Sequence, residues 1–211
     1  MSIKYWLKCF FLYFIFVIKY PDVKFKEIFE DSELVKAYQL IEKIYVTEKK
    51  YMLQGEITRA DLVDEFEDVS IKIGVFKGEE MIGFVRIIKP TKKGFYVDKD
   101  FNIVISDSIR HKAGEVSRFL IKDLYRDKLI SFFFFHKVHE ISHKNNIEYL
   151  ILVTPEGLRR YIINKFSLYC IPLEQKNLTK SQLEVRKKMV NYYKIDNPSP
   201  YIIPLDQLFK F

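Results

Sequence analysis

Cysteine is nearly absent: Cys9 and Cys170 are far apart and form no CxxC pair. This excludes a disulfide framework or a thiolate zinc site and makes a reducing, cytoplasmic setting the expectation. Glycine and proline, seven of each in 211 residues, are too few for a collagen-like or linker-like chain. No long run of one charge occurs, because the 35 Lys+Arg and 28 Asp+Glu that give a net +7 are spread along the sequence. A nucleic-acid-binding tail is therefore not expected. The most apolar piece, Trp6 to Ile18 (WLKCFFLYFIFVI), has 13 residues with Lys8 inside, short of the roughly 20 that span a bilayer. Lys19-Tyr20-Pro21-Asp22 follows it, without the small residues of a signal-peptide cleavage site.

What is present is core material: 48% hydrophobic residues, including 14 Tyr and 19 Phe, enough for one domain with a large interior. The expected division is an apolar aromatic segment over 1–22, one folded domain over 23–194 and a loose tail over 195–211, packed on the domain or extending from it. The first segment suits either a helix or strand packed on the core, or a helix lying peripherally on a membrane through residues 5–20.

Val23 to Phe29 (VKFKEIF) alternates apolar and charged residues, as a half-buried strand does. Asp31 and Ser32 then offer caps to a helix carrying Leu34, Ala37, Tyr38, Ile41, Ile44 and Tyr45. Residues 47–70 are acidic and lack a period, which predicts a loop with short helical pieces. Ile71 to Phe76 and Met81 to Ile88, joined by Lys77-Gly78-Glu79, predict a hairpin. Glu115 to Ile121 predicts a central strand, 128–146 a helix, Ile147 to Val153 a buried strand, and Thr154-Pro155 the start of a short helix. A strand over Ser167 to Leu173 and a basic helix over 181–192 complete the order. Helices set between a hairpin and crossovers imply a mixed sheet.

That order resembles the GNAT acyltransferase fold, and local motifs narrow the resemblance. Gly83-Phe84-Val85-Arg86-Ile87-Ile88-Lys89-Pro90 is similar to the "G-x-x-R-L-hydrophobic-x-P" strand of the acyl-homoserine-lactone synthases, N-acyl amino acid synthases and exosortase-associated acyltransferases. Glu115-Val116-Ser117-Arg118-Phe119 resembles the "E-x-S-R-F/L" strand of the same group. Tyr45-Val46-Thr47-Glu48 resembles its "V-Y-x-x-E" helix end, and Asp64-Glu65-Phe66-Glu67 its "D-x-x-D" pair.

The resemblance implies an α/β (α+β) fold with a GNAT-like mixed sheet flanked by helices. It also implies a fatty acyl transfer from an acyl carrier protein or acyl-CoA thioester to the amine of an amino acid or similar small molecule, with no tightly bound cofactor. Two departures matter. The only tryptophan is Trp6, so the acidic loop lacks the Trp with which lactone synthases cover a nucleotide-like acceptor, which disfavours S-adenosylmethionine. Asp123 to Leu129 (DLYRDKL) has no glycine where acetyl-CoA enzymes of this fold place their pyrophosphate turn, which favours a carrier-protein donor. Lys89, Lys92, Lys93 and Arg126 are the basic residues expected to dock an acidic carrier.

Amide formation from a thioester needs a neutral amine, a polarised carbonyl and an acyl slot. Glu115 is the candidate proton acceptor or else an edge carboxylate in a salt bridge. Ser117 and Arg118 are grouped with it as catalytic, although in a regular strand Arg118 faces away from Glu115, so sharing a site requires a bulge or a place on the far wall. Arg86 either pairs with the acceptor's carboxylate or forms an ion pair with Asp64, Glu67 or Glu115. Tyr45, Asp64, Glu67 and Phe119 complete the substrate-binding set. Phe132 to Phe135, with Phe133 and Phe134 foremost, either line an acyl slot or fill the core. A competing motif, His139-Glu140-Ile141-Ser142-His143, fits the zinc-peptidase pattern H-E-x-x-H. A catalytically silent binding protein of the same fold is the third alternative.

Overall fold

The computed structural model describes residues 3–51, 62–166, 168–187 and 190–207. A seven-stranded mixed sheet runs in the order β1-β2-β3-β4-β5-β7-β6. Helix α1 (Ile3–Lys19) leads into β1 (Val23–Glu27) and α2 (Asp31–Glu42), which continues as a π-helical turn over Lys43–Glu48. The predicted hairpin is β2 (Ser70–Lys77) and β3 (Glu80–Ile88). Its turn requires left-handed backbone at Gly78, φ 55°. Short helices α3 (Val97–Asp100) and α4 (Asp107–Arg110) precede β4 (Ala113–Ile121). Then follow α5 (Lys128–Lys144), β5 (Tyr149–Thr154), α6 (Glu156–Phe166), β6 (Ile171–Pro172), α7 (Lys180–Lys187), α8 (Val190–Ile195) and β7 (Ser199–Pro204).

Two expectations change. The segment after 195 is not a loose appendage: β7 pairs with β5 over Tyr149–Thr154 and with β6, so it lies inside the sheet. Its run Tyr201-Ile202-Ile203 is buried on both faces, and a continuous apolar run has no alternation to betray a strand. The strand expected over 167–173 shrinks to Ile171–Pro172, at an edge where Pro172 has no N–H to give a further ladder. The acidic stretch from 52 to 61 and residues 188–189 of the basic helix lie outside the described residues.

The sheet separates two cores. On one face α5 packs Ile130, Phe134, Val138 and Ile141 against Ile73, Val85, Ile87 and Val116. On the other, α2 covers Phe84 and Leu120, and the segment 95–101 covers Ile88, Ala113 and Ile151. Between those two clusters lies the charged group described next.

Phe132 to Phe135 belong to the first core. Phe134 is wholly buried and stacks on Phe119 with centroids 4.8 Å apart. Phe133 meets Phe16 of α1 at 4.7 Å. These rings pack in the core, and Phe119, Phe133 and Phe134 sit on the opposite face of the sheet from Arg86.

Candidate active site

Strand β4 is bulged where the motif required it. Phe84 pairs with Leu120 and Arg86 with Ser117, so Val85 stands opposite two residues, Arg118 and Phe119. Arg118 takes left-handed backbone, φ 56°, which a non-glycine residue adopts at a cost of about 1–3 kcal/mol. The extra residue turns Arg118 onto the face that carries Glu115 and Ser117 and sends Phe119 to the α5 core.

Four ionic side chains meet there. Arg86 is almost fully buried, and its Nη1 lies 2.7 Å from Asp64 Oδ1 and 3.4 Å from Glu67 Oε2. Its Nε donates to Ser117 Oγ at 2.9 Å. Arg118 Nη2 donates to the Leu62 carbonyl at 2.5 Å and lies 3.3 Å from Asp64 Oδ2, while its Nη1 is 3.8 Å from Glu67. Among the described residues, that buried Nη1 has no hydrogen-bond partner. Burial and the neighbouring Arg86 charge lower the Arg118 pKa. Of the two alternatives for Arg86, the ion pair with Asp64 and Glu67 is the one present. Its Nε and Nη1 are engaged, which ties the acidic loop and Ser117 to β3.

Lys72 joins this group. It stands opposite Arg86 across the β2–β3 ladder and donates to the Glu67 carbonyl at 2.8 Å, with the carboxylate 3.3 Å away. Two cations directly opposite on adjacent strands repel unless an anion lies between them, and Glu67 is that anion. Only the strand register, invisible in the sequence, reveals Lys72.

Glu115 lies deeper. Its Oε2 accepts from the Val97 backbone N–H at 3.1 Å, and the residue is 3% exposed. Burial pushes its carboxyl up to about 8, against the opposing pull of the Val97 amide and the Arg86 charge. The 95–101 segment above it is tied down by Arg110, whose guanidinium forks onto Asp98 at 2.7 and 3.0 Å. Gln182 and Arg186 hold it from α7 through the carbonyls of Asp98 and Asp100. No salt bridge to Glu115 occurs among the described residues.

Tyr45, in the π-helical turn, faces the two arginines: burial raises its hydroxyl pKa while Arg118 and Arg86 oppose the shift. Such turns interrupt helices most often at functional sites. A row of tyrosines that the sequence did not single out continues from it. Tyr51 lies 5.7 Å from Tyr45 and bonds Asp196, Tyr192 lies 5.0 Å further on, and Tyr193 donates to Asp100 at 2.6 Å.

Strands β4 and β5, parallel, pair only through Ala113–Val116 and Tyr149–Leu152. Beyond Ser117 and Val153 they part, and the Tyr192 hydroxyl reaches the Val153 carbonyl at 3.4 Å. This parting adjoins the bulge.

Residues 40–135 match the acetyltransferase (GNAT) domain family. The acyl-homoserine-lactone synthase LasI superposes with a TM-score of 0.58 at 17% identity, covering 87% of this chain and 89% of its own. FeeM, an N-acyl amino acid synthase from uncultured soil microbes, superposes at 0.60 and 15% identity, covering 88% and 91%. BjaI, a CoA-dependent acyl-homoserine lactone synthase, superposes at 0.59 and 14%, covering 83% and 77%. The chain has the GNAT fold. No curated protein sequence matches it.

Where acetyl-CoA enzymes place a glycine turn, Asp127 caps α5 by accepting from the Leu129 N–H at 2.7 Å, and Lys19 bridges to it at 2.8 Å. A carboxylate thus caps the positive end of this helix. The basic residues expected to form one docking surface are also split. Lys89, Lys92 and Lys93 follow Ile88, which pairs with Glu115, whereas Arg126 follows Ile121, which pairs with Gly83 at the other end of the ladder. Antiparallel strands carry them apart.

Among the described residues the H-E-x-x-H helix is not joined by a third ligand. Glu140 is held between Lys137 and Lys144 at 2.9 and 2.8 Å, which lowers its pKa and leaves a weak base. The rings of His139 and His143 are 6.5 Å apart, and no group of three ligating residues converges among the described residues.

Proposed function

We propose that the protein is an N-acyltransferase that moves a fatty acyl group from a carrier-protein thioester to the amine of an amino acid. The observation that carries this reading is the bulge: it brings Glu115, Ser117 and Arg118 to one face beside the strand parting, over the Asp64–Glu67–Arg86 cluster. In the reaction the amine nitrogen attacks the thioester carbonyl, the C–S bond breaks, and the thiol leaves with one proton. Glu115 accepts the ammonium proton directly or through a water. A carboxylate titrating near 8 is far better matched to that task than an ordinary one. Ser117 Oγ accepts from Arg86, so its own proton remains for the carbonyl oxygen. The buried Nη1 of Arg118, which has no hydrogen-bond partner among the described residues and lies 3.8 Å from Glu67, takes the acceptor's carboxylate.

The Asp127 cap supports a carrier protein over CoA, since phosphopantetheine alone brings no pyrophosphate. An open groove of about 470 Å³ between α7 and α8 is lined by Lys180, Glu184, Arg186, Lys187, Tyr193 and Lys194, four cations against one carboxylate, which bridges to Lys187. We assign the acidic carrier to this groove. The double variant Lys187→Glu with Lys194→Glu should raise KM for the acyl carrier about tenfold at low salt, with kcat unchanged and the effect fading at high salt. The reading as a whole is tested by mass spectrometry of organic extracts from cells expressing the protein. New N-acyl amino acids are expected, and their absence with a range of carriers supplied would leave a silent binding protein as the better account.

A further inference from the structure

Helix α1 has an unusual outer face. Phe16 is its buried anchor, set against Tyr20, Phe25 and Phe133 at 5.6, 5.7 and 4.7 Å. Around the rest of the helix Phe10, Phe11, Tyr13, Phe14, Val17 and Ile18 are 43–66% exposed. Phe10, Phe14, Val17 and Ile18 recur at helical spacing, forming one stripe along the helix. A contiguous aromatic patch of this kind on a soluble surface marks an interaction site.

We infer that α1 lies on an anionic lipid surface, with this stripe in the interface between headgroups and acyl chains. The helix is not long and apolar enough to cross a membrane, which leaves the interfacial plane as its place. The charge pattern chooses between lipid and a second copy. Residues 1–21 contain Lys4, Lys8 and Lys19 and no Asp or Glu. A symmetric contact between two such helices sets lysines against lysines, whereas anionic headgroups complement them. The chain's overall +7 acts in the same direction. The anchoring rings, together with the Lys19–Asp127 bridge, fix the helix to the domain with the stripe outward. This inference is independent of the acyl-transfer reaction.

Flotation of the full chain with vesicles tests it. Vesicles of phosphatidylcholine with a quarter phosphatidylglycerol should carry the protein upward, pure phosphatidylcholine should carry much less, and added salt should weaken the binding. The variant Phe10→Ser with Phe14→Ser, which alters only exposed positions, should lower the partition coefficient by about tenfold or more while far-ultraviolet circular dichroism is unchanged. Lys4→Glu with Lys8→Glu should do the same for the anionic vesicles alone. Failure to float with the anionic vesicles overturns the inference, as does flotation that neither variant weakens. Self-association abolished by Phe10→Ser with Phe14→Ser, without vesicle binding, would make a second copy the occupant and overturn it equally.

Discussion

Replacing Arg86 with alanine should destabilise the protein by about 3–5 kcal/mol, read as a lower urea midpoint at unchanged slope. The side chain is 1% exposed and holds Asp64, Glu67 and Ser117 simultaneously. Its removal leaves two partly buried carboxylates facing one another with only Arg118 and Lys72 to answer them, and leaves the loop carrying Asp64 without its tie to β3. Arg86→Lys keeps the charge but loses the planar fork that spans Asp64 and Ser117, so a smaller loss is expected. A double-mutant cycle between positions 86 and 64 should give a coupling of about 1–3 kcal/mol. A coupling near zero would mean that the contact is incidental.

The second large effect concerns Glu115 and pH. Its carboxyl titrates near 8 in the fold against an ordinary 4.5. The unfolded chain therefore loses this proton first as pH rises, and the folded chain keeps it until about 8. The resulting stabilisation is complete below about 4.5, declines with a slope of up to about 1.4 kcal/mol per pH unit, and is gone once pH exceeds the folded value. Asp100, pushed by burial up to about 6, adds to the same slope in the lower part of that window. Glu115→Gln still offers an oxygen to the Val97 N–H but has no proton to lose. The variant should therefore be more stable than wild type above pH 8, with a flatter profile between 5 and 8 by urea denaturation. Parallel profiles for the two proteins would show that Glu115 is solvated in the folded state.

Much of the architecture was legible because most of its strands and long helices have strong periods. β1 alternates, the β2–β3 hairpin is marked by its glycine turn, and α5 carries a clear apolar face. The side chains that meet on one face of β3 and β4 belong to the two strand motifs, and the notion that Arg118 could join Glu115 only through a bulge is met by the φ of 56°. What escaped were properties of register and long-range contact. Lys72 matters because of the residue opposite it, and Tyr51 and Tyr192 meet from opposite ends of the chain. The basic docking surface failed for the same reason, since residues close in a motif list can sit at opposite ends of an antiparallel ladder. The phenylalanine run is ambiguous for another reason: a helix buried on several sides needs four apolar residues in succession as much as an acyl slot does.

The central claim is that Glu115 on a bulged strand serves amide formation. The most direct measurement is single-turnover acyl transfer by the purified chain, from long-chain acyl carrier protein to a mixture of amino acids, with amide followed by mass spectrometry. Wild type should form amide with a rate that rises through about pH 8, and Glu115→Gln, folded and at least as stable at that pH, should fall by about 10²-fold or more. Equal rates for the two proteins, or no amide from wild type with carrier or CoA donors, would contradict the account.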